Sequence, residues 1–221
     1  MARFARLEVY NSLLKIKVVP LFYHSDINVC KSVMKACYNG GLKIFEFTNR
    51  GDNAHEIFNE LNKTAKQEMP DLVLGIGSIV DPATAALYIQ LGAAFIVTPL
   101  LNEDVAKICN RRKIAWIPGC ATASEISKAE ESGAEFVKLF PADQLGGPAF
   151  VKSIKAPMPW TSLMASGGVT PDPENLKAWF NAGASCVGMG GQLVTKDIIS
   201  SGNYEKLTEV CKNIVKTIES L

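Results

Sequence analysis

Short apolar runs alternate with amphipathic stretches along the chain at a spacing of roughly 20 to 28 residues, the rhythm of repeated strand–helix units. After an N-terminal helix expected over residues 3–14, the expected strands are 17–21, 43–48, 72–75, 94–97, 114–117, 136–140, 162–165 and 186–189. Helical periodicity marks 28–38, 53–67, 82–91, 103–111, 123–131 and 173–182 between them. Asp26, Asp52, Asp81, Asn102, Thr122 and Asp172 stand where an N-cap side chain accepts a free helix N–H, and Gly40, Gly92, Gly133 and Gly183 stand where helices end. About eight such units predict an α/β protein, a single-domain (β/α)8 TIM barrel with an N-terminal helix, over residues 1–221. An open doubly wound sheet is the alternative, but no G-x-G-x-x-G follows the first strand.

Composition narrows the chemistry. With 221 residues, 48% apolar and 20% charged, the chain can bury a full core. A net charge of +1 gives no footprint for nucleic acid or an anionic membrane, while leaving room for a local phosphate site. The N-terminal stretch is too polar for a secretory signal and no apolar run is long enough to span a bilayer, so a cytoplasmic protein is expected. Cys30, Cys37, Cys109, Cys120, Cys186 and Cys211 form no C-x-x-C pair, and His24 and His55 are the only histidines. A three-histidine metal site is therefore impossible, and neither a metal nor a cofactor is expected.

Lys138 lies in the apolar run Phe136–Phe140, where strand geometry puts Phe136, Lys138 and Phe140 on one face and Val137 and Leu139 on the other. A desolvated lysine loses part of its preference for the charged form, and an uncharged amine can attack a ketone to form an imine. The competing reading is a lysine snorkelling into water at a strand end. Glu46 alternates with Phe45 and Phe47 on the second strand; apolar surroundings raise a carboxyl pKa and suit it to general acid–base work, whereas a plain ion pair with Lys138 is the structural alternative.

Barrel chemistry gathers at the carboxyl ends of the strands. Arg50 stands just past the second, Ser78 past the third, and Thr98 and Pro99 past the fourth. Ser166-Gly167-Gly168 follows the seventh strand and Gly190-Gly191 the eighth, where paired glycines let backbone N–H groups approach a phosphate.

In this order, Val18-Val19-Pro20, Glu46-Phe47-Thr48-Asn49-Arg50, Gly75-Ile76-Gly77-Ser78, Ile117-Pro118-Gly119-Cys120-Ala121-Thr122, Lys138-Leu139-Phe140-Pro141-Ala142 and Ser166-Gly167-Gly168-Val169 resemble the 2-keto-3-deoxy-6-phosphogluconate and 4-hydroxy-2-oxoglutarate aldolase family over nearly the whole chain. The resemblance implies a homotrimeric class I aldolase acting on a small 2-keto-3-deoxy acid. Lys138 would form the Schiff base and Glu46 would shuttle protons. Arg50 and Ser78 would hold the pyruvate carboxylate, with Ser166, Gly167 and Gly168 near the rest of the substrate. The chain departs from the family in having Ser78 and Ser166 where threonine is commoner, and Gly190 or Gly191 where a serine serves the last phosphate loop. A phosphate-binding barrel isomerase or epimerase, and a catalytically silent barrel with Lys138 and Glu46 as a buried ion pair, are the alternatives from other classes.

Overall fold

Nine parallel strands curl into a nearly closed barrel in the computed structural model, which describes residues 2–221. The chain opens with α1 (Arg6–Ile16), β1 (Val18–Phe22), α2 (Ile27–Asn39), β2 (Ile44–Thr48), α3 (Ala54–Glu68), β3 (Val73–Gly77), α4 (Pro82–Gln90), β4 (Phe95–Val97) and α5 (Glu103–Arg112). It continues through β5 (Ala115–Ile117), β6 (Gly119–Cys120), α6 (Ala123–Glu131), β7 (Val137–Leu139), α7 (Pro148–Lys155), β8 (Leu163–Ser166), α8 (Pro173–Asn181), β9 (Cys186–Met189), α9 (Lys196–Ser201) and α10 (Tyr204–Glu219).

The sheet order is β5-β4-β3-β2-β1-β9-β8-β7-β6. Its two outer strands, β5 and β6, are neighbours in the chain, divided only by Pro118; β5 falls on the stretch expected as the fifth strand, and β6 lies just past it. Pro118 has no N–H to give the ladder. Its own carbonyl still accepts the Lys138 N–H at 2.7 Å, and the Ile117 carbonyl accepts that of Thr98 at 3.2 Å. A proline-bent strand thus closes the barrel.

Alternation along each strand splits the core in two. Val19, Ile44, Val73, Phe95, Val97, Ile117, Phe136, Met164 and Cys186 belong to one cluster inside the barrel, and Val9, Tyr10 and Leu13 of α1 plug its lower end. Phe45, Phe47, Leu74, Ile76, Val137, Leu139 and Val187 belong to the second cluster, between the sheet and the helices. Arg3 and Arg6 fasten the lower end, donating to the carbonyls of Ala65, Met69 and Leu72 and of Cys109 and Ile114.

Five of the six expected N-caps hold: Asp26, Asp81, Asn102, Thr122 and Asp172 each accept a first-turn N–H. The sixth does not. Asn53 rather than Asp52 is the residue before α3, and its side chain makes no cap bond. Helix α2 ends at Gly40 as expected, and the left-handed residue is the next one, Gly41 (φ 95°). Helices α7, α9 and α10 lie outside the stretches that periodicity marked. Among the described residues no helix is long and apolar enough to cross a membrane.

Candidate active site

The two-sided alternation decides where the chemistry points. On β2, Ile44 faces the barrel interior while Phe45 and Phe47 face the helices, so Glu46 and Thr48 face inward. On β7, Val137 and Leu139 face outward while the preceding Phe136 faces inward, so Lys138 does too. In the sheet order β2 and β7 are separated by β1, β9 and β8 on one side, which sets them on opposite walls. Glu46 and Lys138 therefore face one another across the upper interior, at 1% and 6% exposure.

Neither charge is neutralised by a close partner. Ion pairs among the described residues all lie on the surface and none involves Lys138 or Glu46. Glu46 Oε2 is fully buried without a hydrogen-bond partner. The buried ion pair of the catalytically silent reading is thus absent. Burial pushes the Glu46 carboxyl above its ordinary value, against the smaller opposing pulls of Lys138 and then Arg50. A carboxyl in that state holds its proton to higher pH than a surface glutamate and can return it to a bound molecule. The Phe140 ring lies beside the amine, its centroid 5.0 Å from Lys138 Nζ.

Glycines hollow out the space around this pair. Gly75 and Gly77 face inward on β3; a Cβ on Gly75 would meet the Phe95 ring at 2.4 Å and one on Gly77 would meet Glu46 Oε1 at 1.7 Å. At the end of β3, Ser78 has a left-handed backbone (φ 60°), a region serine enters at some cost and a β-branched threonine enters less readily. Serine at this position is physically consistent with that turn.

The remaining expected residues divide. Ser166 ends β8, buried and facing the same interior; its carbonyl accepts the Ala142 N–H at 2.8 Å, tying the loop after β7 to the top of β8. Gly167 (φ 110°) and Gly168 (φ 71°) need glycine for their conformation and lie against Asp143. Thr98 is fully buried and its hydroxyl donates to the Leu100 carbonyl at 2.6 Å, so it braces the β4 loop beside the half-buried Pro99. Arg50 is exposed at the mouth. Unlike Arg3 and Arg6 it has no carbonyl or carboxylate partner among the described residues, and it lines a cavity of about 270 Å³ with Phe22, Tyr23, Thr48, Gly190 and Gly191. Sequence reasoning did not single out Tyr23. Its signal was weak, one aromatic past a strand end.

A sequence model described as the KDPG and KHG aldolase family matches residues 9–210. A 2-dehydro-3-deoxy-phosphogluconate aldolase of Pseudoalteromonas atlantica is 29% identical over 198 residues, 90% of this chain and 89% of that protein. A 2-dehydro-3-deoxy-6-phosphogalactonate aldolase of Escherichia coli is 36% identical over 122 residues, 55% of this chain and 58% of that protein. Among solved structures, a KDPG aldolase of Legionella pneumophila, with pyruvate captured as a covalent carbinolamine, superimposes with a TM-score of 0.81 at 25% identity, covering 90% of this chain and 93% of that one. With most of its length matched and an unpaired lysine facing an unpaired carboxyl inside the barrel, the chain belongs to the KDPG and KHG aldolase family.

Proposed function

We propose that the protein is a class I aldolase that splits 2-keto-3-deoxy-6-phosphogluconate into pyruvate and glyceraldehyde 3-phosphate, and 4-hydroxy-2-oxoglutarate into pyruvate and glyoxylate. One observation carries the assignment of roles: Lys138 and Glu46 face each other inside the barrel and neither has an ion-pair partner. Two buried, uncompensated groups of opposite kind cost stability, and catalysis is the return on that cost.

The amine of Lys138 adds to the C2 ketone, giving a carbinolamine; Glu46 supplies the proton with which water leaves, and a protonated imine remains. Glu46, now a carboxylate, takes the proton of the C4 hydroxyl. The C3–C4 bond breaks, its electron pair moves into the imine to give an enamine, and the aldehyde departs. Protonation at C3 and hydrolysis of the imine release pyruvate and restore the amine. Arg50 and the Ser78 hydroxyl would hold the pyruvate carboxylate. Ser166 with the Gly167, Gly168, Gly190 and Gly191 backbone would line the path of the aldehyde half, and Thr98 and Pro99 would form the wall beside it.

We further infer a homotrimer in the cytoplasm. Six unpaired, buried cysteines suit a reducing compartment. Val80, Leu87 and Leu100 are 53%, 39% and 45% exposed on the β3–β4 side and supply apolar surface of the kind subunits cover. Light scattering on the purified protein checks the trimer.

Borohydride reduction in the presence of pyruvate tests the chemistry: a reduced pyruvyl adduct is expected on Lys138, and Lys138→Met should lose both adduct and turnover while remaining folded by circular dichroism. An active Lys138→Met enzyme would remove the imine route. Comparative kcat/KM for the gluconate- and galactonate-derived phosphorylated acids then fixes the preferred sugar.

A further inference from the structure

Glu46 buries an oxygen that no group in the structure satisfies, and a single polar side chain stands beside it on the barrel wall. We propose that Thr48 is a positioning residue whose hydroxyl donates a hydrogen bond, directly or through one water, to the Glu46 carboxylate as Glu46 takes the C4 proton; the proposal rests on the aldolase reading above.

The strand ladder identifies the neighbours of Glu46. Its register partner on β1 is Leu21 and on β3 is Gly75. On its own strand the next inward residue below is Ile44 and the next above is Thr48. Leu21 and Ile44 are apolar and Gly75 has no side chain. Thr48 is therefore the one adjoining residue on that wall with a polar side chain.

The carboxyl rises to the level of that hydroxyl. It fills the space in front of Gly77, where a Cβ would lie 1.7 Å from Oε1 and 2.5 Å from the carboxyl carbon. Gly77 is the register partner of Thr48. Both residues face the interior on strands about 5 Å apart, so the threonine side chain and the glutamate carboxyl lie within the span of one hydrogen bond or one bridging water. Thr48 is 5% exposed and lines the cavity at the mouth with Arg50, which sets it between the carboxyl and that opening.

The reaction creates the need for a donor there. Burial favours the protonated carboxyl, for which an unpartnered Oε2 is tolerable. Once Glu46 has given its proton to the departing water it is a buried carboxylate, and an unpartnered charge is far more costly. The charged groups that face it are Lys138 from β7 and Arg50 beyond the end of β2. Leu21 of β1 and Gly75 and Gly77 of β3 bring none. A hydroxyl rotates about its C–O bond, so it can accept from the protonated acid and donate to the carboxylate without movement of the strand.

Thr48→Val keeps the branched shape and removes the hydroxyl. A hydrogen bond to the charged form lowers a carboxyl pKa. Its loss should therefore move the acid limb of the kcat–pH profile of the purified, assembled enzyme upward by about one pH unit, the tenfold usual for a hydrogen bond to a charged group. Glu46→Gln identifies that limb by abolishing it. The shift should be equal for 2-keto-3-deoxy-6-phosphogluconate and 4-hydroxy-2-oxoglutarate, since both pass a C4 hydroxyl proton to Glu46, and KM should change little. Thr48→Ser retains the donor and should keep the wild-type limb; if Thr48→Val is unfolded by circular dichroism, Thr48→Ala takes its place. A limb unmoved when the hydroxyl is removed, or moved as far by Thr48→Ser, would overturn the proposal and leave Thr48 a packing residue. Wild-type enzyme with no turnover of either substrate and no borohydride-trapped pyruvate would defeat the underlying aldolase reading instead.

Discussion

A Cβ on Gly77 would lie 1.7 Å from Oε1 of Glu46, so the glycine on β3 makes the space in which the β2 carboxyl stands. The two strands are in parallel register, with Thr48 opposite Gly77 and Glu46 opposite Gly75. The carboxyl is thereby turned along the wall toward the top of β3. Gly77→Ala should force it out of that position, and kcat should fall as far as it does in Glu46→Gln, by roughly 10²–10⁴. The double variant should lose little more than either single one, because both remove the same function. A double variant whose losses multiply would show that Gly77 acts elsewhere.

Glu46 also links activity to stability. Burial raises its carboxyl above the ordinary value of 4.5, so the folded chain holds this proton at pH values where the unfolded chain has released it. Below 4.5 both states are protonated and the group is neutral in its effect on folding. As pH rises from there toward the folded-state value, ionisation favours the unfolded chain and stability is lost. Glu46→Gln removes that penalty. Thermal melts between pH 4 and 8 should show the variant gaining on the wild type as pH rises; the reverse trend would mean that the pull of Lys138 and Arg50 outweighs burial.

Much of this was legible in the sequence because period-two alternation reports which face a residue occupies. Ile44, Glu46 and Thr48 had to share one face, and Phe136 and Lys138 another, so two charged residues flanked by apolar neighbours stood out. Caps were legible for the same local reason, since Asp81 and Thr122 act on N–H groups three residues away. Contacts between distant segments were not legible. Nothing in the order of residues shows that the Thr98 hydroxyl turns to Leu100, that Tyr23 rests on Gly51, or that Arg50 shares a cavity with Gly191. The two glycine pairs read alike, yet Gly167 and Gly168 satisfy a backbone requirement whereas Gly190 and Gly191 leave space. The expected fifth strand stopped at residue 117, one short of Pro118, which is the bend by which neighbouring segments pair with β4 on one side and β7 on the other.

The capping box at the start of α6 gives a stability test far from the chemistry. Thr122 Oγ1 accepts the Glu125 N–H at 3.2 Å, and Glu125 Oε2 accepts the Thr122 N–H at 2.9 Å. Thr122→Ala should cost about 1 kcal/mol, a drop of about 2–4 °C in Tm for a chain of this size. Borohydride trapping of pyruvate should be unaffected at temperatures where the variant is folded. Calorimetry would sink the estimate by finding no loss of stability.

Ser78 separates what the backbone wants from what the substrate wants. Its left-handed conformation (φ 60°) costs a residue with a Cβ about 1 kcal/mol or more, which glycine avoids. Ser78→Gly relieves this strain while adding chain entropy to the unfolded state, and the two effects are of similar size and opposite sign, so Tm should change little. If the Ser78 hydroxyl helps hold the pyruvate carboxylate, the same substitution should raise KM for both substrates by about tenfold, since both carry that carboxylate. A Ser78→Gly enzyme with unchanged KM would leave Arg50 as the sole side chain proposed for the carboxylate and would make the strained turn a property of the fold alone.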